Sequence, residues 1–304
     1  MKKPLVILIS QSDWANVGCT FAKCLNAVGV DAFSYTKHLH AFEYPNQSIK
    51  YKNIKEVEDK AKQADAIIWM HSLYTPLDID FTGKKLAVFN GGTQYRKNPN
   101  KTNRFFNPIV DVTFTQTAEL LDKGAKNEIW LLPAVDIGSI EPNFTIGEKL
   151  VVGHFPSNRN NDLIIKGSSV INNVMKEFKD KVDYRFSSKI IPWKENLARM
   201  NSCDIYIESL KFTADWGVTS LEASALGNIV ITDFRYGIER YKKEYGKCTL
   251  QVANTPEELS IVINRLLDIP NNYLLRLKEQ TREWAINIHS LKAIGNRIVE
   301  GLEL

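Results

Sequence analysis

The sequence predicts an α/β protein built from two Rossmann-like halves, and three observations lead to that class. Short β-branched apolar runs alternate with amphipathic stretches, the βαβ rhythm of a parallel sheet covered on both faces. The rhythm stops at a Pro-, Gly- and polar-rich segment, residues 134–149, and then starts again. The chain's 304 residues also suit about two domains on length alone.

The elements follow in order. LVILIS (5–10) is the first strand; its apolar run ends at Ser10, too short for a signal peptide despite the two lysines before it. A helical pattern runs from about Asn16 to Val28, and VDAFSY (30–35) is the second strand. IKEVEDKAKQA (54–64) has the spacing of an amphipathic surface helix. AIIWM (66–70), LAVFN (86–90) and VTFTQ (112–116) read as buried strands, TAELLDKGA (117–125) as a helix, and EIWLLP (128–133) closes the first half. After the linker, LVVGHF (150–155), VDYRFS (182–187), CDIYIES (203–209), IVITD (229–233) and LQVA (250–253) read as strands. Helices are expected at 167–181 and 255–268, followed by a helical tail from about Tyr273 to Leu304. No 20–50-residue repeat or low-complexity tract interrupts the series.

Composition excludes other classes. Hydrophobic residues at 44% and charged residues at 24% leave no tract disordered by composition. No apolar run approaches the roughly 20 residues of a membrane helix. Cys19, Cys24, Cys203 and Cys248 match no zinc spacing, and a chain of this size needs no disulfides, so a reducing cytoplasm is the expected setting. The net charge of +4 is too small to imply a polyanionic partner by itself.

The stretch GVTSLEASALGN, Gly217–Asn228, carries one acid, Glu222, among small residues just before a buried strand. Gly217 supplies a turn, Thr219 and Glu222 have the spacing of a capping box, and Gly227 suits a left-handed C-cap. Two readings remain. Glu222 caps its own helix, or the amides of Gly217, Val218 and Thr219 face a phosphate while Glu222 accepts bonds from a sugar hydroxyl.

GHFPSNRNNDLIIKGSSVI, ARMNSCDIYIESL and WGVTSLEASALGNIVITD resemble, in that order, the donor half of GT-B glycosyltransferases, family 4 and its close relatives. FNGGTQYR and VTFTQTAELL…IWLLPAVDI resemble segments of the other half, so the likeness covers most of the chain. The resemblance implies a GT-B fold, two Rossmann-like domains facing a central cleft. It implies transfer of a sugar from a nucleotide donor, mostly with retention and usually without a bound metal. The expected boundaries are 1–146 for an acceptor-side domain, 147–285 for the donor domain and 286–304 for a C-terminal helix. By the same resemblance Glu222 holds the donor ribose, the turn at Gly217 presents amides to the diphosphate, and Arg159 and Lys166 contact the phosphates. Such cations are what the chemistry needs, because a nucleoside diphosphate leaves with developing negative charge. Solvated loop charges are the plain alternative for both.

The sequence departs from the family at one acid. The signature has two glutamates separated by seven residues, and the first falls here on Ala214. Asp215, one residue late, either takes over the contact with the donor sugar or caps the turn. That gap leaves donor sugar and stereochemistry open. In the first half, His71 follows a strand and either bonds a sugar hydroxyl or packs as a structural histidine. Trp14 either stacks on a substrate ring or packs on its own domain.

Between Asp80 and Asp111 there is no acid, whereas Lys84, Lys85, Arg96, Lys97, Lys101 and Arg104 lie there with Tyr95, Phe105 and Phe106. Cations interleaved with aromatics suit a nucleic acid or another polyanion such as a phosphorylated lipid carrier, and a solvated loop is the plain alternative. Some relatives in this broad superfamily of folds glucosylate hydroxymethylated bases in phage DNA, so the resemblance implies such a base as one expected acceptor, with a saccharide, lipid-linked or protein acceptor as the alternative. Rival activities are a nucleotide-sugar epimerase and a non-catalytic nucleotide-sugar sensor.

Overall fold

The computed structural model describes residues 2–137, 140–157, 166–210 and 216–304. Two compact units make it up, Met1–Ala134 with His289–Leu304, and Val135–Ile288.

The first unit is a seven-stranded parallel sheet. Its strands are β1 (Leu5–Ser12), β2 (Asp31–His38), β3 (Ile49–Lys50), β4 (Ala66–Trp69), β5 (Lys85–Asn90), β6 (Val112–Thr115) and β7 (Glu128–Trp130). Their order is β3-β2-β1-β4-β5-β6-β7, with Ile7 in register with Phe33 on one side and Ile67 on the other. The central strands are buried along nearly their whole length, which is why they read as unbroken apolar runs. The helices are α1 (Val17–Ala27), α2 (Ile54–Ala61), α3 (Thr93–Lys97) and α4 (Pro99–Phe106), and a C-terminal helix, Leu291–Leu302, returns onto α1. That return needs Gly295: a Cβ there would strike the Cys24 carbonyl. One face of the sheet packs Ile7, Ile9, Val57, Ile67, Trp69 and Phe106 into a core. The chain moves outward from β1 to β2 and β3, then crosses to β4 on the other side of β1. That reversal places a topological switch point between β1 and β4.

The second unit repeats the plan with β8 (Leu150–His154), β9 (Val182–Phe186), β10 (Ile205–Ile207), β11 (Ile229–Thr232) and β12 (Gln251–Val252). The order is β12-β11-β10-β8-β9, again all parallel, so its switch point lies between β8 and β10. Its helices are α5 (Ser168–Lys176), α6 (Trp193–Asn201), α7 (Val218–Ala225), α8 (Ile238–Tyr245), α9 (Pro256–Asp268) and α10 (Asn271–His289). Val152, Ile171, Met175, Ile205, Ile207, Ile231 and Ile263 form its core. Inside that unit a fully buried ammonium, Lys278, meets the Asp204 carboxylate at 2.9 Å and the Thr145 carbonyl at 3.1 Å.

Three local expectations are corrected. Residues 117–125 form only a short 3-10 turn at Ala118–Leu120, because Asp122 and Gly124 both take positive φ, +59° and +88°. The C-terminal tail is two helices, broken where the Ser290 hydroxyl caps the second by accepting from Ala293 N–H at 3.2 Å. The acid-free window, read without regular structure, contains α3 and α4, the second opened by Pro99.

Candidate functional site

In the second unit the groups with chemistry gather at the carboxyl ends of β8 and β10. His154 ends β8 and is fully buried; its Nδ1 lies 2.8 Å from the Ile207 carbonyl and its Nε2 2.9 Å from the Ser168 hydroxyl. Burial pushes its pKa down to about 4, so at neutral pH it is an uncharged brace tying two strands to the start of α5.

Glu208 follows directly after β10 and is only 2% exposed. One carboxylate oxygen pairs with the Lys166 ammonium, and the other accepts from the Thr219 hydroxyl at 2.5 Å. Lys166 is itself largely covered, with its side chain 15% exposed. Gly217 closes the cluster. Its φ is −97°, open to any residue, so the left-handed freedom expected of this glycine is not used. What the position requires is smallness: a Cβ there would strike the Glu208 carboxylate and lie 3.1 Å from Lys166 Nζ.

The expected capping box is also corrected. Gly217 is the N-cap of α7, Thr219 already lies inside the helix, and its hydroxyl goes to Glu208 rather than to the backbone. Glu222 is buried and accepts from Trp193 Nε1–H at 2.6 Å. Its pKa is raised to about 7: burial pushes it up, the Trp193 bond draws it down, and the charges of Glu208 and Asp136 push it up further. The small residues around it are explained because α7 is buried on every side from Ser220 to Ala225. Its other end is as expected, with Gly227 at φ +84° and the Gly227 and Asn228 amides bonded to the Ser224 and Ala223 carbonyls, a Schellman motif.

The structure therefore brings Lys166, Gly217, Thr219 and Glu222 to one edge of one sheet, with Val218 in the first turn of α7. Arg159 and Asp215 lie outside the described residues. Sequence reasoning missed Glu208 and Trp193. The signal for Glu208 was available, an acid ending the apolar run DIYIE, but counting back from Glu222 directed attention to Ala214. Trp193 is 29 residues from Glu222 and gave no local signal.

In the first unit His71 sits just past β4, 3% exposed, with Nε2 3.4 Å from Asp13 Oδ1. Asp13, just past β1, also accepts from Gly18 N–H (2.7 Å), Cys19 N–H (2.9 Å) and the Ser48 hydroxyl (2.7 Å). Burial pushes its carboxyl up, but the bonds from His71, Ser48 and Gly18 outweigh that and hold it below the usual range. Trp14 is 39% exposed, its ring 5.3 Å from the His71 ring. The basic window is partly used by the fold: Lys84 donates to the Lys62 and Ala64 carbonyls, Lys85 pairs with Glu303, and Arg96 pairs with Glu119. Tyr95 and Phe106 are buried, while Lys97, Lys101, Arg104 and Phe105 are exposed.

No protein-family model matches the chain, and no curated protein matches it. Solved structures do. A HepE protein (Alr3699) from Anabaena, in complex with UDP and glucose, is 13% identical with a TM-score of 0.67, covering 99% of each chain. A glycosyltransferase from Rickettsia africae is 15% identical with a TM-score of 0.66, covering 100% of this chain and 98% of its own. A sucrose-phosphate synthase from Thermosynechococcus elongatus is 12% identical with a TM-score of 0.60, covering 98% of each. At such identities the likeness establishes architecture: this chain has the GT-B fold, two Rossmann-like domains with one parallel sheet each.

Proposed function

We propose that the protein is a glycosyltransferase that takes a sugar from a nucleotide-sugar donor held at the switch point of the second sheet. The observation that carries the reading is the Lys166–Glu208–Thr219 cluster beside Glu222, at the place where open α/β sheets bind ligands. The likeness in fold to a protein solved with UDP and glucose supports it. In this reading Glu222 takes the ribose hydroxyls, and Lys166 with the first amides of α7 takes the diphosphate. Lys166 offsets charge on the departing diphosphate as the bond to the sugar breaks. Glu208 fixes the Lys166 ammonium in place before the donor arrives.

Incubation with a panel of nucleotide-sugars tests the activity. A transferase releases nucleoside diphosphate, slowly to water and faster with acceptor. An epimerase changes the sugar and keeps the diphosphate attached, and a sensor shows only a ligand-induced thermal shift; either of those results replaces the proposal.

For the acceptor, a nucleic acid retains support from the exposed Lys97, Lys101, Arg104 and Phe105 on α3 and α4. Arg96 supports it less, being paired with Glu119. Binding of random-sequence DNA that weakens steeply with salt, with a flatter slope after replacing Arg96, Lys97, Lys101 and Arg104 by glutamine, would sustain that acceptor. Equal slopes remove it and favour a saccharide, protein or lipid-linked acceptor.

A further inference from the structure

The hydrogen bond that Glu222 accepts comes from another helix. Trp193 opens α6 behind Pro192, and α6 packs against α7, which carries Glu222. The Trp193 indole Nε1–H donates to Glu222 Oε1 at 2.6 Å. An indole N–H only donates. It cannot accept a proton from a carboxylic acid, so it favours the ionised carboxylate. The bond takes Oε1 and leaves Oε2 as the oxygen that can meet a ribose hydroxyl.

The charges that face Glu222 act the other way. Glu208 follows β10 and Asp136 lies ahead of β8, and both carboxylates oppose a negative charge on Glu222. The Lys166 ammonium that could offset them pairs with Glu208. The Tyr206 phenol on β10 also faces Glu222; burial holds its pKa well above the ordinary value, so it stays neutral. Arg282 of α10 bonds the Ala225 carbonyl at the far end of α7. Glu222 is only 5% exposed, so little water screens these charges. A proton that enters the cluster near neutral pH therefore settles on Glu222. Its pKa of about 7 agrees: burial first, then Glu208 and Asp136, raise it against the pull of Trp193. A ribose hydroxyl donates to the charged oxygen most strongly, so ribose and proton compete for the same carboxylate. We infer that Trp193 is a positioning residue for the donor: its N–H aims the Glu222 carboxylate at the ribose and favours the ionised form, so that the ribose binds with release of a proton from Glu222. That role rests on the proposed reading of Glu222 as the ribose ligand.

Nucleoside titrations from pH 5.5 to 8.5 test it in wild type, W193F and E222Q. Uridine, guanosine and adenosine are each compared with the 2′,3′-dideoxy form, which shares the base and lacks the hydroxyls. A charge-assisted bond outweighs a neutral one by about tenfold, so the wild-type preference for one ribonucleoside over its dideoxy form should grow about eightfold across that range. E222Q should show no growth. Loss of the indole bond should move the Glu222 titration up by about one pH unit. W193F should therefore lag the wild type by about threefold near pH 7 and approach it at pH 8.5. The indole ¹H–¹⁵N resonance of Trp193 reports the same bond without substituting Trp193: it should shift through neutral pH in the wild type and stay still in E222Q. A wild-type preference that is flat with pH, an E222Q profile that still rises, a W193F loss equal at every pH, or an indole resonance that does not titrate would each overturn the inference. Ribonucleoside binding with a flat profile overturns this role alone. No ribonucleoside binding at any pH would overturn the donor-site reading, and this role with it.

Discussion

Glu222→Gln isolates the cost of a buried carboxylate. In the fold its pKa is about 7, against an ordinary 4.5, chiefly through burial. A folded value above the unfolded one means that the native state binds the extra proton between those pH values, so stability falls as pH rises through the window. The group's full contribution is present below about 4.5 and lost above about 7. The interval from 4.5 to about 7, at about 1.36 kcal/mol per pH unit, sets an upper bound of about 3 kcal/mol. Glutamine keeps an oxygen for the Trp193 bond and carries no charge. Urea unfolding of wild type and E222Q from pH 5 to 8.5 should therefore show the variant gaining on the wild type as pH rises, by up to about 3 kcal/mol across the range, and levelling off above pH 7. Any fixed offset from the amide cancels in that slope. A pH-independent difference, or a variant that loses ground as pH rises, would refute the assignment of Glu222 as a carboxylate charged against its environment.

Other variants probe the same unit. Lys166→Ala leaves the Glu208 charge buried and unpaired, so it should cost about 3–5 kcal/mol in chemical denaturation, most of it recovered in K166A/E208Q; no loss in the single variant would mean the pair is not closed in solution. Gly217→Ala, with an unstrained φ, should still cost about 1–3 kcal/mol because its methyl meets Glu208, and should weaken nucleoside diphosphate binding measured by calorimetry. Lys278→Met strands the Asp204 carboxylate, which precedes β10 where Glu208 follows it, so it should cost about 3–5 kcal/mol of stability in chemical denaturation without changing the preference for diphosphate over nucleoside.

The fold was legible because parallel strands covered on both faces must be apolar throughout; VILI, AIIW, LAVF and IVIT say so without further context. Capping and turn chemistry were legible where partners are near in sequence, as at Gly227 and at Thr255, whose hydroxyl accepts from Glu258 N–H at 3.2 Å. They misled where a distant partner won. Thr219 and Glu222 have capping-box spacing, yet Glu208 takes the hydroxyl and Trp193 takes the carboxylate, so tertiary bonds displaced the local one. Gly217 was legible as indispensable but for the wrong reason, since crowding by Glu208 leaves no trace in a window of neighbours. The pairing of Asp13 with His71 joins residues 58 apart, and only the strand order brings them together.

The central claim, a donor diphosphate held at the Lys166–Glu208 pair, is tested most directly by titrating wild type and K166A/E208Q with UDP, GDP and ADP and with the matching nucleosides. The double variant removes both charges together and leaves neither stranded. One diphosphate should bind the wild type about 10–100-fold more tightly than its nucleoside, the worth of a charge-assisted bond. In the double variant that preference should fall about tenfold, to what the first amides of α7 alone retain, while affinity for the nucleoside stays the same. A preference for diphosphate undiminished by the double substitution, or its absence from the wild type, would contradict the account.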